Sequence, residues 1–273
     1  MIEYNNEKYS KAFVGEEELA KIYQGEDLVF QKHYGYGRLV GSFIEDSEPE
    51  ERYIYINRKR VYTDINFNIQ LEEPLQYLCM GSSSSSMFSN KIKRIDEFPT
   101  TEYITDIFSD FQTISFCDNC RNLEYVNLSN FKTENFDSIR YFFRYCYALQ
   151  SLDLSSFNTE NITDVGLLFF YCEALQSINF GDNFNLINCE VEQNTSLFTN
   201  CKSLTTVIGK LSNIKIPLNL KDSPLTRESA LVFLNGLAHV EEPQTITFSK
   251  GTYATLSEED KQIAYNKNWQ ISS

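Results

Sequence analysis

The chain has 273 residues, 42% of them hydrophobic, which is enough for one large domain or for two or three small domains with a buried core. Its 24 Lys and Arg residues stand against 38 Asp and Glu residues, and the net charge of −14 repels phosphate backbones and anionic lipid headgroups. We therefore expect no nucleic-acid partner, and no run of about 18 apolar residues predicts a transmembrane segment.

The N-terminal part of the chain predicts a small antiparallel β module. The stretch AKIYQGEDLVFQK at residues 20–32 is typical of a strand, a turn at Gly25 and a second strand. It is similar to the short β segments that open many phage tail and surface proteins. Residues 33–71 then place alternating tyrosines around a turn-forming NRKR, which predicts further strands. The run GSSSSS at residues 81–86 predicts a linker or a long loop.

A 26-residue period organises residues 116–208. Cys120, Cys146 and Cys172 are each 26 residues apart, and a fourth copy with Cys201 follows a three-residue insertion. The apolar spacing L-x-x-L-x-L within each copy predicts one short strand per repeat. A fixed period of this length indicates stacked units that bury their apolar faces against one another.

The stretch FFRYCYALQSLDLSSFNTENITDVGLLFFYCEALQSINF at residues 142–180 resembles the leucine-rich repeats of BspA-like surface proteins, in particular the mycoplasma lipoprotein type. The chain departs from that pattern at Phe131 and Phe157, where such repeats often have Asn or Cys, and at Glu134 and Glu160, where Ser is usual. The resemblance implies a bacterial surface protein whose fold is an α/β repeat, a leucine-rich-repeat solenoid.

The C-terminal part predicts a cap made of strand and helix. Two short helices are indicated, the first with Thr226 as its N-cap and the second with Ser257 and Asp260 as a capping box. The stretch QTITFSK between them predicts a strand, and the whole segment is expected to close the open end of the stack. The predicted organisation is a β module at 1–80, leucine-rich repeats at 87–220 and an α/β cap at 221–273.

The cysteines and histidines do not form a pattern typical of a reactive site. Seven cysteines cannot all pair, and a column of one per repeat is typical of buried packing rather than of metal binding. Cys117 occupies a position that is Phe in the next copy, so Cys117 and Cys120 are interpreted as core residues. His33 and His239 have no ligand or triad context. We predict no catalytic residue, no metal site and no cofactor.

These observations favour a non-enzymatic recognition or adhesion protein that binds a host protein or a glycan. Such a protein would be at the cell surface or secreted if a leader was removed. The alternative is a structural or receptor-binding protein associated with a prophage or virion tail, which would be cytoplasmic or virion-associated.

Candidate binding residues fall into two groups. Outward positions of the repeat strands form a flat polar face that is almost free of the aromatic and arginine anchors of tight interfaces. The tyrosines of the N-terminal module offer a stacking surface for sugars or peptides, although alternating tyrosines also pack across strands. The predicted binding residues are Tyr125, Asn127, Asp153 and Asn179 on the strand face, and Tyr34, Tyr36, Tyr53 and Tyr55 in the N-terminal module.

Overall fold

The structure, a computed structural model, describes residues 13–14, 17–18, 21–24, 27–31, 38–56, 59–71, 90–99, 101, 116–190 and 196–273. The strands in these ranges are β1 (Phe13–Val14), β2 (Glu17–Glu18), β3 (Lys21–Gln24), β4 (Asp27–Gln31), β5 (Arg38–Phe43), β6 (Tyr53–Ile56), β7 (Lys59–Tyr62), β8 (Asn66–Gln70), β9 (Ile92–Glu97), β10 (Tyr125–Val126), β11 (Ser151–Asp153), β12 (Ser177–Asn179), β13 (Phe184–Asn185), β14 (Thr206–Ile208), β15 (Leu211–Ser212), β16 (Leu218–Leu220), β17 (Gln244–Phe248) and β18 (Trp269–Ser272). The helices are α1 (Arg227–Gly236), α2 (Lys250–Thr255) and α3 (Glu258–Tyr265), and a 3-10 turn spans Pro49–Glu51.

The first four strands form two short antiparallel pairs. β1 pairs with β2, and β3 pairs with β4. The second pair confirms the two strands predicted within residues 20–32. The turn predicted at Gly25 and the GSSSSS run at 81–86 lie outside the described residues.

A four-stranded sheet connects the N-terminal strands to the first repeat strand. β5 pairs antiparallel with β8 on one side and with β9 on the other, and β10 pairs parallel with β9. Gly41 in β5 permits this close pairing, because a side chain there would collide with the backbone carbonyl of Arg94. β6 and β7 form a separate antiparallel hairpin with Tyr53 opposite Tyr62.

The middle repeats are held in register by a ladder of three parallel strands. Leu152 of β11 lies opposite Ile178 of β12, and Ile178 lies opposite Val207 of β14. These steps are 26 and 29 residues, which confirms the period and the three-residue insertion read from the sequence. The three side chains are buried, whereas their neighbours along each strand are exposed or half-buried.

The prediction of an α/β leucine-rich-repeat solenoid is wrong. The described residues form mainly strands and turns, in small separate sheets of two to four strands with mixed pairing. All described helices follow Thr226. In the described residues between the repeat strands, turns stand where an α/β repeat would have helices. The physical reason is that Tyr141, Tyr145, Leu167 and Tyr171 have positive φ, which a right-handed helix excludes. Leucine spacing alone did not reveal these left-handed positions.

Phenylalanine rings fill the space behind the repeat strands. The rings of Phe143 and Phe169 lie nearly parallel with centroids 6.4 Å apart, and Phe169 stacks on Phe198 at 5.3 Å. Phe131 stacks on Phe157 at 5.4 Å in a second column. All five rings are buried, so each repeat completes the apolar core of its neighbour.

The repeat cysteines form a buried column, as the period predicts. The Sγ atoms of Cys146, Cys172 and Cys201 each donate to a backbone carbonyl of the preceding repeat, at 3.0, 3.1 and 3.2 Å. Burial raises the pKa of the Cys146 and Cys172 thiols well above the ordinary cysteine value. All six described cysteines are free thiols, and no group of metal-ligating side chains occurs within the described ranges.

The C-terminal residues pack on the last repeat. β16, β17 and β18 form a parallel sheet. The Thr226 cap of α1 and the capping box of Ser257 and Asp260 in α3 are confirmed, whereas α2 was not predicted. The Ser229 hydroxyl of α1 accepts a hydrogen bond of 2.8 Å from the Val207 N–H of β14, which satisfies that strand's outer edge. None of the three helices in the described part of the chain is long and apolar enough to cross a bilayer.

Replacing Leu152 with Asp should reduce the free energy of unfolding by more than about 4 kcal/mol, because an unpaired carboxylate would be buried in the ladder. Ser151→Asp is the matched control, since Ser151 is exposed in the same strand, and it should cost less than about 0.5 kcal/mol. Urea unfolding followed by circular dichroism measures both. A fully folded Leu152→Asp protein of unchanged stability would contradict the strand assignment.

Candidate functional site

The predicted row of Asn127, Asp153 and Asn179 binds the backbone at the ends of the repeat strands. The side-chain oxygen of each residue accepts a hydrogen bond from the N–H two residues later, at 3.0, 2.9 and 3.0 Å respectively. Asn179 Nδ2 also donates to Asp153 Oδ1 at 3.2 Å. These bonds turn the chain as each strand ends, so the row has a structural role, and its role in binding stays a prediction.

The predicted tyrosines do not form one cluster in the described structure. Tyr53 packs edge-on against Tyr62 across the β6–β7 hairpin, with ring centroids 6.2 Å apart. Tyr125 lies in β10, where the Arg94 guanidinium is 4.5 Å from its ring centroid. The side chain of Tyr55 lies outside the described residues, and so do Tyr34 and Tyr36.

A different aromatic cluster lies on the turns between the repeat strands. Four half-buried rings from two successive repeats contact one another, with centroid distances from 4.6 to 6.1 Å. We use the name aromatic surface for these rings and for the ring of Tyr141, which is joined to them through Arg144 as described below. Its residues are Tyr141, Tyr145, Tyr147, Phe170 and Tyr171.

Arginine side chains cover the edges of the aromatic surface. The Arg144 guanidinium lies 3.9 Å from the ring centroid of Tyr141 and 5.4 Å from that of Tyr145. Arg140 lies 4.7 Å from the Tyr141 ring, and Arg121 lies 5.6 Å from the Tyr147 ring. These distances are those of cation–π contacts, so the arginines and the rings form one continuous surface.

Two of these arginines are held by carboxylates. Arg144 donates from Nε and Nη2 to the two carboxylate oxygens of Asp118, at 2.8 and 2.6 Å. Asp118 is buried, and its hydrogen bonds raise the pKa of the Arg144 guanidinium. Arg140 pairs with Asp164 at 3.1 Å. The bidentate pair fixes the Arg144 plane against the Tyr141 ring.

Three tyrosines of this surface, Tyr141, Tyr145 and Tyr171, occupy left-handed backbone positions. The residue before each repeat cysteine has φ between 60° and 62°, namely Asn119, Tyr145, Tyr171 and Asn200. Asn tolerates this left-handed region, but a bulky tyrosine in it costs on the order of 1–3 kcal/mol. The outer repeats thus use the favourable residue and the middle repeats do not. A strained residue that the fold itself does not require is a candidate for a functional role.

The left-handed position itself serves the stack. The N–H of Tyr145 donates to the carbonyl of Phe170 at 2.8 Å, and the N–H of Tyr171 donates to that of Thr199 at 2.9 Å. The N–H of Asn119 makes the equivalent bond to Arg144 at 2.7 Å. The left-handed backbone therefore makes the same contact at all three positions, although the side chain is Asn at one and Tyr at the other two.

The sequence contained a signal for this surface that the leucine and cysteine spacing obscured. Alignment of the repeats on their cysteines places Tyr145 and Tyr171 in the same column as Asn119 and Asn200. Asparagine at the outer positions is typical of a left-handed turn, so tyrosine at the inner positions was the anomaly to pursue.

The repeats also match a known family of sequences. Residues 82–211 match the family model described as Mycoplasma protein of unknown function, DUF285. This match covers just under half of the chain and includes the whole aromatic surface. No curated protein and no solved structure matches the chain.

The strain at Tyr145 can be tested by comparing glycine with alanine. Tyr145→Gly should be more stable than Tyr145→Ala by about 1 kcal/mol, because glycine has no Cβ to clash at positive φ. At Tyr147, whose φ is not positive, the order should reverse by about 0.5–1 kcal/mol. Urea unfolding of the four variants gives the comparison. The same order at both sites would contradict the left-handed assignment.

Proposed function

We propose that this protein is a non-enzymatic recognition protein that binds a protein partner through the aromatic surface. The observation that carries the proposal is the placement of Tyr145 and Tyr171 in backbone positions where Asn would be more stable. Tyrosine and arginine are the residues that most often dominate binding energy at protein interfaces. A selected interface explains why the middle repeats keep these side chains despite the strain.

The geometry favours a protein over a glycan. Tyr145 meets Phe170 at 76° and Tyr147 meets Tyr171 at 74°, so several rings lie edge-to-face against one another. A sugar ring needs an open parallel platform, whereas protein side chains insert readily between tilted rings and arginine stems. The surface also spans the turns of two repeats, which suits an extended contact.

The resemblance of the repeats to BspA-like surface proteins supports the same class of function, whereas the matched family is itself of unknown function. We also propose that the chain is related to those proteins and acts in adhesion, either at a cell surface or as a secreted protein. The role in a prophage or virion tail stays a prediction. It rests on the β3–β4 pair, and a short hairpin fits either role.

Binding should weaken when the strained Tyr145 and Tyr171 are replaced. The purified protein is screened by biolayer interferometry against arrays of extracellular proteins and of glycans. We expect a protein ligand whose affinity falls about thirtyfold in the Tyr145→Asn, Tyr171→Asn double variant, since hot-spot side chains contribute about 2 kcal/mol or more. Asn occurs naturally at the same position in the outer repeats, so the double variant should fold.

The matched control is the Tyr53→Asn, Tyr125→Asn double variant, which removes two tyrosines elsewhere and should leave the affinity unchanged. Binding that this control abolishes and the first variant retains would place recognition on the residues predicted from the sequence. Binding to glycans alone would contradict a protein partner.

A further inference from the structure

Among the described residues, one of the three arginines at the aromatic surface has no carboxylate partner. Arg121, Arg140 and Arg144 supply three guanidinium groups, and the carboxylates of Asp118 and Asp164 neutralise two of them. Arg121 is exposed and makes no ion pair with any residue that the structure describes. Its Nε donates instead to the amide oxygen of Asn119 at 2.8 Å. Arg121 therefore presents a positive charge without a paired carboxylate, on a chain whose net charge is −14.

Arg121 is positioned to receive a ligand. The hydrogen bond to Asn119 and the contact with the Tyr147 ring fix its guanidinium, and they leave the Nη groups for a partner. A fixed guanidinium binds a carboxylate with little loss of side-chain entropy. The Tyr147 ring beside it also contacts Tyr145 and Tyr171, so an apolar group next to that carboxylate would meet the rings.

We propose that the partner contacts this surface through an acidic peptide segment. In that segment an Asp or Glu side chain pairs with Arg121, and an adjacent apolar side chain packs on Tyr147 and Tyr171. The inference rests on the proposed function and specifies the chemistry of its partner.

The net charge of the chain opposes this pairing only weakly. At physiological ionic strength charges farther away than about 8 Å are largely screened, whereas the Arg121 pair forms in direct contact. The positive charge of Arg121 therefore favours a negatively charged group on the partner. Added salt would weaken the contact and the overall repulsion together, so charge reversal gives a clearer readout than salt dependence.

The experiment uses the full chain and a random heptapeptide library displayed on phage as the probe. Peptides selected on the wild-type protein should be enriched in Asp or Glu next to Leu, Phe or Tyr. A selected peptide should bind Arg121→Glu at least about tenfold more weakly than it binds the wild-type protein. A peptide with Lys in place of its acidic residue should recover most of that loss of affinity. Arg94→Glu is the matched control, because Arg94 also stacks on a tyrosine but is already paired with Asp96.

The outcomes separate this inference from the proposed function. Selection of neutral or basic peptides that the Tyr145→Asn, Tyr171→Asn variant fails to bind would overturn the acidic partner and leave the proposed function standing. An equal loss of affinity in Arg94→Glu and Arg121→Glu would also overturn it. If no peptide is enriched, the inference fails, and failure of the protein array as well would remove the proposed function.

Discussion

Backbone hydrogen bonding between successive repeats is the constraint on which the rest of the structure depends. It fixes the strand register of Leu152 on Ile178, and it continues through the turns, where Tyr145 donates to Phe170. Buried backbone groups need such partners, so each repeat requires its neighbour. The left-handed residues Asn119, Tyr145 and Tyr171 fit the same constraint, because each donates its N–H to a carbonyl of the next repeat.

The candidate site follows from that constraint. A left-handed position in every repeat creates a column of side chains on the turn side, with Asn at both ends and Tyr145 and Tyr171 in the middle. The buried Asp118 then holds Arg144 against the rings of Tyr141 and Tyr145. The fold thus determines where the column lies, while the residue types along it determine what it can bind.

Much of the stacking could be predicted from the sequence, since cysteines and leucines at a 26-residue step require equivalent environments. The turns found in place of the expected helices could not be predicted, because positive φ at Tyr141 and Leu167 leaves no mark in the leucine pattern. Asn127, Asp153 and Asn179 were correctly placed in equivalent positions, but the sequence did not show that each one binds the backbone two residues later. The aromatic surface was missed because tyrosines near buried cysteines resemble packing residues.

Native thiol labelling tests the stacked arrangement most directly. The six cysteines in the described part of the chain are buried, and burial raises the thiol pKa of Cys172 well above the ordinary value and that of Cys189 to about 12, so their thiolate populations are small. In native protein at neutral pH, at most one thiol should react rapidly with an aromatic disulfide reagent. The others should react only at the rate of unfolding, and all seven should react in denaturant. Rapid native labelling of Cys120, Cys146, Cys172 and Cys201 would contradict the stack.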